Sequence, residues 1–133
     1  ARKEIVVIQI SAMYAGLLLL TMLVLGARIS ILRVKYGVAM GSGDQPDLGR
    51  AVRLFGNFTE WVPIIIVGLV LCELVGAPAL LLHLVGIAVI LSRLLHIAGL
   101  RADRTTVARS LGATLIMVSA LTTGAYLVYA SIV

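Results

Sequence analysis

The sequence predicts an all-α integral membrane protein whose four helices form an antiparallel bundle. Of its 133 residues, 61% are hydrophobic and 13% are charged, whereas soluble domains average about 45–50% apolar and about 25% charged residues. The uncharged segments are also long enough to cross a bilayer, which takes about 20 residues per helix. A soluble fold of this length could not bury so much apolar surface, so the soluble class is excluded.

Three of the four spans are uncharged throughout, over residues 5–27, 74–92 and 110–133. The first is too long for the apolar core of a signal peptide, which has about 7–15 residues, so we expect it to be a retained span. The chain is interpreted as one domain, 1–133, with helices over about residues 5–36, 47–74, 78–99 and 106–132.

Polar residues interrupt the second span. Its uncharged part, residues 61–72, is too short to cross a bilayer, so the helix has to begin upstream and carry Asn57 and Glu60 within it. Asp47 is a suitable residue to cap its N-terminus. Pro63 is expected to kink the helix, which membrane bundles tolerate when neighbouring groups satisfy the freed carbonyl.

The positive charges predict the orientation. They concentrate in or beside the first and third connections: Arg28, Arg33, Lys35, Arg50, Arg101, Arg104 and Arg109. The second connection and the C-terminus contain no Lys or Arg, so the first and third loops should be cytoplasmic and both termini outside. Arg2 and Lys3 oppose this orientation but are outnumbered. The net charge of +5 is therefore attributed to membrane topology, and no nucleic-acid partner is expected.

A stripe of polar residues on helix two gives the strongest functional signal: Arg50, Arg53, Asn57 and Glu60. At 3.6 residues per turn they fall within an arc of about 80°. Ionisable groups at membrane depth are costly and usually face a bundle interior or a wet cavity. Arg binds carboxylates at two points, and Glu accepts from ammonium groups, so the stripe suits a zwitterionic ligand. An internal network that pairs Glu60 with Arg93 fits equally well.

Helices three and four contribute further candidates. Arg93 and His96 share a face of helix three and are predicted to line the same cavity, unless Arg93 pairs with Glu60 and His96 bonds a carbonyl. Arg109, at the start of helix four, is suited to hold a thiol as thiolate or to bind a lipid phosphate. Cys72 is unaccompanied by a second cysteine, and no metal-binding motif is present.

Residues 50–63 resemble the signature of the MAPEG family, membrane-associated proteins in eicosanoid and glutathione metabolism. In that pattern an Arg is followed four residues later by Asn, then three later by Glu, an aromatic residue and Pro. Here the matching residues are Arg53, Asn57, Glu60, Trp61 and Pro63. The preceding loop, residues 43–48, and the stretch 86–99 are also similar, and short bacterial members look closest.

This resemblance implies a homotrimer in a bacterial inner membrane, with glutathione as cosubstrate bound between subunits near the cytoplasmic side. Arg53, Asn57 and Glu60 match positions that contact glutathione, and His96 matches a position lining the same pocket. Arg109 resembles the residue proposed to stabilise the thiolate in the prostaglandin E synthase branch. Trp61 and Leu100 stand where several members have Tyr.

Three functions follow as hypotheses. The first is a glutathione-dependent transferase or peroxidase, in which the bound thiolate attacks a lipophilic small molecule arriving from the bilayer and proximity supplies much of the rate. The second is a non-catalytic lipid-binding or scaffold protein of the same family, favoured by the two missing tyrosines. The third is a small transporter, which the short chain without repeats disfavours.

Overall fold

The computed structural model describes residues 7–100 and 105–133 and confirms a bundle of long helices. The helices are α1 (Ile10–Tyr36), α2 (Pro46–Leu74), α3 (Ala79–Gly99) and α4 (Val107–Ile132). All four are long and apolar enough to cross a membrane, and the protein is an integral membrane protein. Arg2, Lys3, Arg101 and Arg104, used above to predict orientation, lie outside the described residues.

The helices are arranged around a central pair. Both α2 and α3 pack against each of the other three helices, whereas α1 and α4, over their described lengths, do not touch. The core therefore lies along the α2–α3 contact. Its buried residues include Tyr14, Leu18, Phe58, Val62, Leu69, Leu82, Val89 and Ile116.

Helix α1 begins at Ile10, later than the expected start near residue 5, because a carboxylate from α2 caps it there. Glu73, at the last turn of α2, accepts from the backbone N–H groups of Gln9, Ile10 and Ser11 at 3.0, 2.9 and 2.8 Å. It also accepts from the Ser11 hydroxyl. These bonds satisfy donors that a helix leaves free at its N-terminus, and they show that α1 and α2 run antiparallel.

Helix α2 begins one residue before the expected cap. Pro46 occupies its first turn, where the missing N–H costs nothing, so Asp47 lies inside the helix and does not cap it. The Asp47 carboxylate instead accepts a hydrogen bond from the Tyr36 hydroxyl at 2.7 Å, which ties the end of α1 to the start of α2. Helix α2 continues through Pro63 without a break.

Two glycines let α3 and α4 approach closely. A Cβ added at Gly112 would lie 2.8 Å from the Ser92 carbonyl oxygen, and one at Gly99 would lie 2.6 Å from the Arg109 backbone nitrogen. Real Cβ atoms do not make contacts this short, so the two helices can pack in this way only without side chains at these positions. The close approach holds the C-terminal half of α3 against the start of α4.

The Glu73→Gln variant should lower the free energy of unfolding by about 1–2 kcal/mol, the usual cost of losing a helix cap. A glutamine presents only one acceptor oxygen and no charge to the N-terminus of α1. Thermal unfolding in detergent measures this, with Asp44→Asn as control because Asp44 is an exposed carboxylate to which no structural or binding role is assigned. Equal melting temperatures for the two variants would contradict the capping role.

The Gly112→Ala variant should destabilise the protein by about 1–3 kcal/mol, the usual cost of overpacking. The matched control is Gly124→Ala on the same helix, because a Cβ at Gly124 has no neighbour within 4 Å. Thermal unfolding of both variants measures the difference. A Gly112→Ala protein as stable as the control would show that α3 and α4 do not need this close contact.

Candidate functional site

The polar face of α2 points away from the rest of the protomer. Arg53 and Glu60 are exposed and Asn57 between them is half-buried. Arg53 borders an open groove of about 450 Å³ that the first loop and the start of α2 form, lined also by Gly41, Ser42, Gly49, Val52 and Gly56. Three of these residues are glycines, so few side chains lie beside the guanidinium in this groove.

The predicted stripe is divided in the structure. Arg50 does not share the groove of Arg53; with Arg28 of α1 it lines a separate cavity of about 120 Å³. The remaining walls of that cavity are Ala51, Leu54, Ile97 and Leu100. The candidate ligand-binding face of α2 is therefore reduced to Arg53, Asn57 and Glu60.

Arg93 lies beneath this face and is 3% exposed. Its Nη1 atom donates to Asn57 Oδ1 at 2.8 Å and, more weakly, to the Asn57 backbone oxygen at 3.5 Å. The alternative in which Arg93 pairs with Glu60 is wrong, because Glu60 lies on the exposed side of α2 and the guanidinium reaches Asn57 instead. From inside the bundle, Arg93 therefore holds the Asn57 side chain of this face in place.

His96 lies one turn further along α3 and is 7% exposed. Within residues 7–100 and 105–133 neither of its ring nitrogens has a hydrogen-bond partner, so the expected bond to a carbonyl is not found. The nearby positive charges come from three helices: Arg53 on α2, Arg93 on α3 and Arg109 on α4. An unpartnered buried imidazole is costly, and the three nearby cations further disfavour a positive charge on its ring.

Arg109 is the third residue of α4, and the start of that helix fixes its place. Thr106 caps the helix by accepting from the Arg109 backbone N–H at 3.2 Å, and the Thr106 hydroxyl donates to the Gly99 carbonyl at 3.1 Å. The absent side chain of Gly99 makes room for the Arg109 backbone. The Arg109 side chain is half-buried, and the backbone that carries it is anchored to α3 through Thr106.

Sequence reasoning missed the residues that hold the site residues in place. Ser92 accepts from Arg93 at 3.2 and 2.7 Å, and Thr106 anchors Arg109 as described. A Thr three residues before a helical Arg is a recognisable cap signal, whereas no pattern identifies Ser92 as the partner of its own neighbour. Glu73 had the charge to cap a helix, but its distance in sequence from α1 concealed the contact.

The arrangement is suited to a zwitterionic ligand. Three guanidinium groups approach one region from different helices, and Glu60 supplies a carboxylate on the outward side. Within residues 7–100 and 105–133, no acidic side chain forms an ion pair with Arg53, Arg93 or Arg109. Of these three only Arg53 is exposed, so a ligand carboxylate would meet there a cation that has no protein counter-ion in this part of the chain.

Comparisons with known proteins identify relatives of the sequence. A family model described as the MAPEG family matches residues 11–129. Curated relatives include the inner membrane protein YecN of Escherichia coli K12 and the protein of the same name in Escherichia coli O6:H1. Each is 36% identical over 91 residues, which cover 68% of this chain and 70% of the relative. No solved structure matches. The resemblance inferred from the motif on α2 is confirmed, and the chain belongs to the MAPEG family.

Proposed function

We propose that the protein is a glutathione-dependent membrane transferase or peroxidase acting on lipophilic electrophiles. The observation that carries this proposal is the outward face of α2, where Arg53 and Glu60 are exposed on either side of Asn57. Asn57 is held from behind by a buried Arg93. A rigid helix that presents a cation, an amide and an anion in this order suits a peptide with both a carboxylate and an ammonium group.

The spacing fits glutathione in size. Arg53 and Glu60 are seven residues apart, which is about 10 Å along a helix that rises 1.5 Å per residue. An extended tripeptide spans about 10 Å. Arg53 binds a carboxylate of the ligand, Glu60 accepts from its ammonium group, and Asn57 contacts the region between them.

Arg109 supplies the charge that the chemistry needs. A positive charge next to a thiol favours the thiolate, which is the nucleophilic form. The thiolate sulfur forms a bond to the electrophilic carbon of the substrate as the leaving group departs with the bonding electrons. With a lipid hydroperoxide, the thiolate attacks the terminal peroxide oxygen, the O–O bond breaks, and the lipid alkoxide leaves and takes up a proton to become the alcohol. The thiol of a second glutathione then displaces water from the resulting sulfenic acid to form the disulfide.

The exposed charges of α2 also support assembly as a homotrimer. Glu60 lies 14 residues before Leu74, about 21 Å from the outer end of the helix, and a charge at this depth is costly in lipid. A neighbouring copy covers this face, and glutathione lies between the copies near the cytoplasmic side. The predicted orientation and the inner membrane location named for the relative YecN agree with this placement.

A specific observation favours a second function, a non-catalytic lipid-binding or scaffold protein. Leu100 is 9% exposed and Trp61 packs on the hydrophobic core, so neither offers a hydroxyl to glutathione. An apolar groove of about 430 Å³ between α3 and α4, lined mainly by Leu, Val and Ala, is suited to an acyl chain. In this function Arg53 and Glu60 stabilise the assembly.

Glutathione should quench or shift the fluorescence of Trp61, because this is the only tryptophan of the chain and it adjoins Glu60. Saturating ligand should also stabilise the protein by about 2.7 kcal/mol at 100 times the dissociation constant. Both effects should be lost in Arg53→Ala and Glu60→Gln and retained in Lys35→Ala. Stabilisation by fatty acid with no response to glutathione would support the scaffold function instead.

The Arg109→Gln variant should bind glutathione but form less thiolate at neutral pH, because the nearby cation is removed. We expect the rate of conjugation with a generic electrophile to fall by about tenfold or more, equivalent to about 1.4 kcal/mol. Ultraviolet absorbance of the bound thiolate and steady-state rates measure the two effects. The control is Lys35→Gln, and an Arg109→Gln protein with the control's rate would exclude Arg109 from the chemistry.

A further inference from the structure

Arg93 is too deeply buried to be a ligand-binding residue. Its side chain is 3% exposed, and its contacts are to Ser92 and Asn57, both neutral. An arginine inside a membrane bundle is costly unless its donors are satisfied. Its effect on a ligand must therefore pass through Asn57, the only one of these partners that reaches the surface.

The guanidinium is held in one orientation. Its Nε and Nη2 atoms both donate to the Ser92 hydroxyl, at 3.2 and 2.7 Å, and Ser92 is fully buried. Helix α4 closes this side, since Gly112 packs against the Ser92 carbonyl. The remaining nitrogen, Nη1, then points at α2, where it donates to Asn57 Oδ1 at 2.8 Å.

This contact determines which end of the amide faces outward. An arginine has five N–H donors and no acceptor, so only the oxygen of Asn57 can face it. The Nδ2 group is then left to donate elsewhere, and it is absent from the buried, unpartnered atoms of the described residues. Without Arg93, the two ends of the amide would be free to exchange places.

We propose that Arg93 is a positioning residue that fixes Asn57 as a hydrogen-bond donor, and that the ligand group bound at Asn57 is therefore an acceptor, a carboxylate or a carbonyl. This inference rests on the proposed function for its ligand. It gives the α2 face a fixed polarity, in which Arg53 and Asn57 donate and Glu60 accepts. The ligand carboxylate lies toward Arg53 and Asn57, and its ammonium group lies toward Glu60.

The first test uses the protein without ligand. Asn57→Asp preserves the shape of the side chain and places a carboxylate on Arg93, so its melting temperature should equal or exceed that of the native protein. Asn57→Ala leaves Arg93 without this acceptor and should melt lower. In an Arg93→Met background the order should reverse, with Asp the least stable because its charge is then half-buried and has no cation to pair with.

The second test uses glutathione. Although the Asn57→Asp protein is folded and stable, its carboxylate offers no donor and repels the ligand carboxylate, so glutathione should bind about tenfold to a hundredfold more weakly. Titration of Trp61 fluorescence measures this. A dissociation constant within about threefold of the native value would overturn the proposal, because a structural role alone requires no donor at this position.

The two tests separate the possible failures. If the native protein does not bind glutathione, the proposed function is wrong, while the unliganded variants still decide whether Arg93 orients Asn57. If Asn57→Asp melts as low as Asn57→Ala in the native background, Arg93 does not face this side chain and the proposal fails. An Asn57→Asp protein that does not fold counts against the proposal in the same way.

Discussion

A positive charge held almost entirely inside an apolar bundle is the constraint on which the rest of the structure depends. Arg93 is 3% exposed, and its hydrogen-bond partners, Ser92 and Asn57, are neutral. Satisfying its donors requires α2 and α3 to meet at one level, and α4 packs closely against α3 at the same level because Gly112 has no side chain. The hydrogen bond from Arg93 also fixes the orientation of Asn57 at the outer face of α2. The requirement to satisfy a buried arginine therefore determines the geometry of the candidate site.

The fold was largely predictable because bilayer thickness imposes a length that composition reveals directly. The uncharged runs identified three helices, and the polar residues 57 and 60 showed that the remaining one had to extend upstream. Helix ends were less predictable. The start of α1 depends on Glu73, more than sixty residues away, and the start of α2 is set by Pro46 and not by Asp47. Neither contact has a local sequence signal.

For the candidate site, the sequence identified the residues but not their hydrogen-bond partners. The motif of Arg53, Asn57 and Glu60 pointed to the family, and the family match confirms that inference. Pairing could not be predicted, because helical spacing places residues on a face without saying how deeply a neighbouring side chain reaches. Arg93 bonds Asn57 and not Glu60, the partner in one of the two alternatives left open by the sequence. Among the described residues His96 has no hydrogen-bond partner, although a carbonyl was expected. Ser92, which no sequence pattern identified, orients the Arg93 guanidinium through two hydrogen bonds.

Asn57 is the only asparagine of the chain, so labelling asparagine with ¹⁵N yields a single side-chain amide signal at the centre of the proposed site. The most direct measurement is the NMR spectrum of this signal in detergent-solubilised protein, with and without glutathione. Binding as proposed predicts that both amide protons shift and that the signal stays a single species, because Arg93 keeps the oxygen inward. A signal unchanged at saturating glutathione would contradict the account, since the ligand could not then lie on the polar face of α2.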